Sequence, residues 1–175
     1  GIDHAFFRPA LDALATTRTV VFFDLPGHGQ STDPAAYDTR TMAHAIDDVR
    51  AHLGVEQVSL LGSSYGGYLS LIYARDYPHR VRSMVLVNTA AAYCYRKESL
   101  RIAQERGTPG MLEAIAHLRS SEMSTDEDFH ATMRAIAPLY FHRLPEEEIH
   151  AIADAATYRV DARHKVIPTL QEYNL

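Results

Sequence analysis

Tryptophan is absent from this 175-residue sequence, cysteine occurs once, and long apolar runs are missing. The single cysteine, Cys94, excludes an intramolecular disulfide framework and favours a reducing compartment. The longest apolar runs, such as residues 20–23 and 84–87, are far shorter than the roughly 20 residues of a membrane-spanning helix. The first residues also lack the charged and then apolar pattern of a signal peptide. The sequence therefore predicts a soluble cytoplasmic protein with no membrane partner.

A surplus of positive charge is missing as well: 17 lysine and arginine residues stand against 22 aspartate and glutamate residues, giving a net charge of −5. Such a chain has no basic stripe that could neutralise phosphates, so we expect no nucleic-acid partner. No histidine or cysteine spacing is typical of a metal site, and we expect no metal ion and no organic cofactor. The 46% hydrophobic content is typical of a globular domain that acts on a small or neutral substrate.

Residues 1–90 alternate between helix-like and strand-like segments, a pattern typical of a parallel sheet with helical crossovers. The clearest amphipathic helix runs from Met42 to Leu53, with capping residues Asp38 and Thr39 before it and Gly54 after it. Short connections between these units favour right-handed crossovers. The sequence therefore predicts a doubly wound α/β sheet, with strands at residues 19–23, 58–61 and 83–88 and further helices at residues 7–15 and 68–77.

The pattern changes after Asn88, because residues 96–165 contain helical periods and no strand-like run. We expect this half to be all-helical. A boundary near residues 90–96 divides the chain into an N-terminal α/β part, residues 1–91, and a helical region, residues 92–175.

Gly62-Ser63-Ser64-Tyr65-Gly66 follows one predicted strand and opens a predicted helix. A serine exposed on such a tight bend needs neighbours without clashing side chains, which Gly62 and Gly66 provide, while Gly67 permits close helix–strand packing. The helix N-terminus directs backbone N–H groups to the place where an oxyanion would develop. The pattern predicts Ser64 as a nucleophile and the Tyr65 N–H as an oxyanion-hole donor.

Two segments carry a family resemblance: Phe23-Asp24-Leu25-Pro26-Gly27-His28-Gly29-Gln30-Ser31 and Leu61-Gly62-Ser63-Ser64-Tyr65-Gly66-Gly67. Together they resemble the paired signatures of the α/β-hydrolase superfamily, and within it the proline iminopeptidase branch. Gly1-Ile2-Asp3-His4 is similar to the segment directly after the oxyanion motif of that branch. The resemblance covers residues 1–90 and implies a partial α/β-hydrolase sheet, with the later helices as a cap. It also implies release of N-terminal proline, or another small residue, from peptides through an acyl-enzyme.

A serine nucleophile needs a histidine base and a carboxylate that orients it, and in this family both come after the serine, on loops that leave later strands. No strand-like run occurs after Asn88, so we expect the triad Asp and His to lie outside this chain. These 175 residues are then the first part of an enzyme and show little or no turnover alone. Strand 83–88 would be left as an apolar sheet edge, which favours aggregation.

Other polar residues have simpler interpretations. His28 and Asp24 are expected to shape their turn rather than to transfer protons. The acidic run 146–148 after Pro145 is typical of a solvated helix N-terminus, although caps of the iminopeptidase branch use acidic residues to bind a substrate ammonium group.

The shared motifs do not name the leaving group. A carboxylesterase or carbon–carbon bond hydrolase on the same fold is therefore an alternative, with a small ester or amide as the substrate. A binding protein that has lost catalysis is an alternative of another class. The sequence does not predict an oligomeric state.

Overall fold

A computed structural model of the chain describes residues 1–172, 174 and 175, with side chains for all of these except residues 171 and 172. In chain order the helices and strands are α1 (Arg8–Leu11), α2 (Thr39–His52), β1 (Val58–Ser63), α3 (Tyr65–Asp76), β2 (Val81–Val87), α4 (Arg96–Arg106), α5 (Pro109–Arg119), α6 (Asp126–Ile136), α7 (Glu146–Ala155) and α8 (Val160–Val166). Short 3₁₀ turns cover His4–Phe6, Asp12–Thr16, Pro78–Arg80, Ala137–Tyr140 and Ile167–Glu172. Within this described part, no helix is both long enough and apolar enough to cross a bilayer.

The chain forms two compact units, one of residues 1–33 with 97–163 and one of residues 34–96 with 164–175. The division into an α/β part and a cap at residues 91 and 92 stays a prediction. The helical character expected for residues 96–165 is confirmed, since α4 to α8 follow one another there without an intervening strand in the described residues.

The first unit is built around a helical core. Its largest cluster joins α5 and α6 to the segment before α8 through buried Met123, Phe129, Met133, Ile136, Tyr158 and Val160. α6 begins with the Thr125 side chain accepting a hydrogen bond from the Asp128 N–H, and acidic residues fill its first turn. α7 begins directly after Pro145, and its first three residues are exposed glutamates. The solvated helix N-terminus predicted for residues 146–148 is therefore confirmed.

The strand predicted at residues 19–23 is wrong. These residues are extended, but in the described part of the chain they make no ladder of hydrogen bonds with a neighbouring strand. Val21 and Phe23 remain 44% and 36% exposed. A run of β-branched and aromatic residues indicates a preference for extended backbone, whereas a strand also needs a partner for its N–H and C=O groups.

The second unit contains a β–α–β arrangement that carries the glycine-rich bend. β1 pairs in parallel with β2, and Ser63 lies opposite Val87 at the carboxyl ends of the two strands. α3 connects the strands and packs on β1 and on α2. The predicted strands at residues 58–61 and 83–88 and the helices around them are thus confirmed, with bounds shifted by a few residues.

α2 begins and ends where its capping residues predict. The Asp38 side chain accepts a hydrogen bond of 2.9 Å from the Thr41 N–H, which satisfies one free donor of the first turn. Gly54 follows the helix with a φ of 66°, the left-handed conformation that glycine adopts without a Cβ penalty. Met42 and Ile46 turn the apolar face of α2 into the core.

β2 exposes apolar side chains, as the sequence predicts for a sheet that ends there. Met84, Val85, Leu86 and Val87 are all at least a third exposed, and Val85 reaches 55%. A continuous apolar run is typical of a parallel strand that is covered on both faces. In the described residues β2 has β1 as its one paired neighbour. The expected apolar edge is confirmed, and its effect on solubility stays a prediction.

A polar network ties α2, α3 and the start of β2 together around Asp47. Its carboxylate accepts hydrogen bonds from Arg50 Nε and the Tyr73 hydroxyl, both at 2.8 Å, and from an Arg80 guanidinium nitrogen at 2.5 Å. The bond from Arg50 makes the largest contribution to lowering the pKa of Asp47, from its ordinary 3.8 to about 2. Asp47 therefore stays ionised and bonded at any moderate pH.

We expect Asp47→Asn to lower the free energy of unfolding by about 1–2 kcal/mol, because the amide keeps the shape of the carboxylate but loses its charge. Because the folded-state pKa is depressed, the contribution of Asp47 is complete above pH 4. It is lost as the pH falls from about 4 through about 2. Urea unfolding at several pH values measures both effects.

Asp48→Asn is the matched control, since Asp48 is the exposed neighbour on the same helix. We expect it to change stability by less than about 0.5 kcal/mol. Equal stability of the two variants at pH 7 would contradict a structural role for the Asp47 network.

Candidate active site

Ser64 lies on the bend between β1 and α3, in a backbone conformation that is unusual for a serine. Its φ is 50° and its ψ is −117°, and the residue is exposed. A non-glycine residue with positive φ costs about 1–3 kcal/mol and persists only where its surroundings hold it. In the described residues, Asn88 is the one other non-glycine residue with positive φ, at 49°. The sharp bend that the sequence predicts at Ser64 is therefore confirmed.

Both backbone groups of Ser64 are bound from the end of β2. Its N–H donates to the Val87 carbonyl at 2.9 Å, and its own carbonyl accepts from the Thr89 hydroxyl at 2.9 Å. The same carbonyl also accepts from the Gly67 N–H at 3.0 Å. Sequence reasoning missed Thr89, although Asn88 before it offers a signal, because asparagine tolerates the left-handed conformation at the end of a strand.

The glycines of the bend differ in what they permit. A Cβ at Gly62 would lie 2.6 Å from the Gly66 carbonyl oxygen, and a Cβ at Gly67 would lie 2.5 Å from the Thr89 side chain. The close packing expected at positions 62 and 67 is therefore present. At Gly66 a Cβ would meet no described atom within 4 Å, so the clash expected there is absent. The reason is that position 66 faces open space rather than the sheet or the strand end.

Tyr65 is the first residue of α3, where backbone N–H groups have no partner within the helix. Its hydroxyl is buried and has no hydrogen-bond partner among the described residues. Burial raises the pKa of Tyr65, so the phenol stays protonated. Its ring meets the ring of Tyr68 edge to face, 6.4 Å between centroids. The Tyr65 N–H as an oxyanion donor stays a prediction.

The turn after residue 23 belongs to the first unit and is organised by Asp24. Its carboxylate accepts from the His4 N–H at 2.9 Å, from His4 Nδ1 at 2.8 Å and from the Gln30 N–H at 3.2 Å. Burial by itself would raise the pKa of Asp24, but the hydrogen bonds from His4 and Gln30 lower it below its usual value. A Cβ at Gly29 would lie 2.3 Å from this carboxylate. Asp24 therefore shapes the turn, as expected.

His28 is buried within the same turn. Its Nδ1 lies 3.0 Å from the Pro26 carbonyl oxygen, which fixes Nδ1 as the protonated nitrogen of a neutral ring. Nε2 is buried without a hydrogen-bond partner among the described residues, and burial lowers the pKa of His28 to about 4. A neutral ring bonded to its own turn agrees with a structural role.

Asp3, His4 and Asp24 bring three potential metal-ligand atoms within 4.8 Å of one another. Two of them are already paired, since His4 Nδ1 donates to Asp24. The Asp3 carboxylate accepts from the Ala5 N–H at the start of a 3₁₀ turn. These contacts are the hydrogen bonds of two turns, and they do not assign a metal ion to the cluster.

Several histidines pair with carboxylates: His4 with Asp24, His117 with Asp128 and His130 with Asp154. In the described part of the chain, no hydrogen bond joins a histidine to Ser64 Oγ. The absence of the triad Asp and His from this chain stays a prediction, as does the role of Ser64 as a nucleophile.

We expect Gly67→Ala to destabilise the protein by about 1–3 kcal/mol, because the new methyl group would overlap the Thr89 side chain. Gly66→Ala is the matched control on the same turn of helix. It should leave stability unchanged or raise it by up to about 1 kcal/mol, because alanine is the better helix former. Thermal unfolding compares the two, and an equal loss in both would contradict the close approach of α3 to Thr89.

Comparison with known proteins places this geometry in a family. The model of the alpha/beta hydrolase fold family matches residues 2–144. A proline iminopeptidase of Lactobacillus delbrueckii subsp. bulgaricus is 39% identical over 100 residues, which cover 53% of this chain and 34% of that protein. A proline iminopeptidase of Levilactobacillus brevis is 35% identical over 133 residues, which cover 72% of this chain and 43% of that protein. The chain thus spans less than half the length of these curated relatives.

Solved structures agree on the fold. An esterase from Exiguobacterium antarcticum superimposes with a TM-score of 0.70 at 21% identity, over 99% of this chain and 63% of the esterase. The N-acyl homoserine lactonase AidH superimposes with a TM-score of 0.62 at 22% identity, over 95% of this chain and 57% of the lactonase. With a family model matched over most of its length, the chain belongs to the α/β-hydrolase fold family, where its sequence is similar to the proline iminopeptidases.

Proposed function

We propose that this chain carries the nucleophile of a serine hydrolase of the proline iminopeptidase type, which releases N-terminal proline or another small residue from peptides. The observation that supports it most is the conformation of Ser64. The residue is exposed on a strained bend at the carboxyl end of a parallel strand and is held there by hydrogen bonds from β2. Strain of this kind gathers where function requires it.

In the proposed reaction, Ser64 Oγ attacks the carbonyl carbon of the peptide bond on the carboxyl side of the N-terminal residue, and its proton passes to a histidine base. The oxyanion lies at the N-terminus of α3, where the Tyr65 N–H donates to it. The tetrahedral intermediate collapses, the histidine gives its proton to the leaving amine, and an acyl-enzyme remains on Ser64. Water then attacks this ester and frees the N-terminal residue.

The rest of the proposal comes from the resemblance and the composition. The triad Asp and His lie outside these 175 residues, the helices from α4 onward act as the cap, and the protein works in the cytoplasm without a metal or organic cofactor. Its partner is a small peptide, or a small ester or amide. The identity to proline iminopeptidases favours the peptide, whereas the esterase and the lactonase share only the fold at their level of identity.

Protein purified from the intact gene tests the proposal with L-proline β-naphthylamide and p-nitrophenyl acetate. We expect hydrolysis of the naphthylamide, with kcat reduced by at least about 10³-fold in Ser64→Ala. Ser63→Ala is the matched control, because Ser63 is the neighbouring serine at the end of β1, and it should keep activity within about threefold of the unsubstituted protein.

Other outcomes point to the alternatives. Rapid ester cleavage without aminopeptidase activity would indicate a carboxylesterase on the same fold. No turnover of either substrate would favour a carbon–carbon bond hydrolase or a binding protein. The 175 residues alone should show little or no turnover, and activity of that chain that Ser64→Ala abolishes would contradict the proposed location of the triad partners.

A further inference from the structure

The strained residues of the second unit are neighbours across the sheet. Ser63 and Val87 are register partners at the carboxyl ends of β1 and β2, and the next residue on each strand, Ser64 and Asn88, has a positive φ. The left-handed conformation is costly for any residue with a side chain, so two such residues in adjacent positions call for a common cause. The hydrogen bonds at this edge of the sheet supply one.

The turn at Asn88 directs the next residue back toward the bend. Thr89 leaves β2 immediately after the left-handed Asn88, and its hydroxyl donates to the Ser64 carbonyl at 2.9 Å. The Ser64 N–H donates in the other direction, to Val87. Both peptide groups that flank the Ser64 Cα are thereby fixed from one segment of β2 and its turn.

The same threonine also packs against the start of α3. Its Cβ, Oγ1 and Cγ2 all lie 2.5–2.6 Å from the place that a Cβ on Gly67 would occupy. Thr89 therefore sits over the first turn of α3, between the Ser64 carbonyl and the glycine that lets the helix approach. A side chain in this position resists any relaxation of Ser64 toward an ordinary φ.

We propose that the Asn88–Thr89 turn holds Ser64 in the backbone conformation that hydrolysis requires, with Thr89 as a positioning residue. The inference rests on the proposed function, because the conformation matters for catalysis only if Ser64 is the nucleophile. Thr89 does not touch the substrate in this scheme. It acts by fixing the direction in which Ser64 Oγ and the adjoining Tyr65 N–H point, and small errors in such geometry cost large factors in rate.

Two substitutions separate the hydroxyl from the shape of the side chain. Thr89→Val removes the donor and keeps the branched side chain that packs on Gly67, whereas Thr89→Ser keeps the donor. Thr16→Val is the matched control, because the Thr16 hydroxyl also donates to a backbone carbonyl, that of Ala13, at 2.8 Å.

Amide hydrogen exchange of the 175-residue chain, monitored by NMR, tests the clamp without any need for turnover. We expect the Ser64 N–H to exchange at least about tenfold faster in Thr89→Val, with Leu60 in the same strand unchanged. Thr89→Ser and Thr16→Val should stay within about threefold of the unsubstituted chain. Unchanged exchange at Ser64 in Thr89→Val, or an equal rise at Leu60, would overturn the proposal.

Kinetics of the protein from the intact gene test positioning. We expect Thr89→Val to lower kcat for L-proline β-naphthylamide by about 10- to 100-fold, with KM within about twofold and activity retained in Thr89→Ser. An unchanged kcat, or a loss in Thr89→Ser equal to that in Thr89→Val, would overturn the positioning role. If the unsubstituted protein turns over no substrate, the proposed function fails, and the exchange experiment still decides whether Thr89 holds Ser64.

Discussion

The hydrogen bonds between Ser64 and the end of β2 are the constraint on which the candidate site depends. A serine with a φ of 50° would relax if its peptide groups were free, because the left-handed region is costly for any residue with a Cβ. The Val87 carbonyl and the Thr89 hydroxyl prevent this relaxation by binding one group each. The geometry of the bend is therefore a property of two strands together and not of the glycine-rich motif alone.

The parallel pairing of the strands makes these bonds possible. Because β1 and β2 run in the same direction, their carboxyl ends meet at one edge, and the residue after each strand lies beside its counterpart. Gly62 allows α3 to turn back over β1, since its missing Cβ leaves room for the Gly66 carbonyl. The strand register thus decides which residue can reach Ser64, and in this chain it is Thr89.

Much of the fold can be predicted from local sequence patterns, and the rest depends on contacts between distant residues. The caps of α2 at Asp38 and Gly54 and the bend at Ser64 are local, and the structure agrees with them. The strand expected at residues 19–23 fails because an apolar run cannot specify a partner strand. The Thr89 bond to Ser64 joins residues 25 positions apart, and no periodicity signals it. The expected clash at Gly66 fails for a similar reason, since a motif does not show which of its glycines faces other atoms.

β2 is held at both ends, and this links stability to the candidate site. Arg80 comes directly before β2 and binds Asp47, which also receives the Tyr73 hydroxyl of α3. At the other end, the turn after β2 binds Ser64. α3 takes part in both anchors, because Tyr73 lies in its middle and its first turn packs on Thr89. A change in the Asp47 network would therefore alter where β2 ends relative to α3. The strained serine needs that distance to be fixed, since both of its backbone bonds to β2 are made at the same strand end.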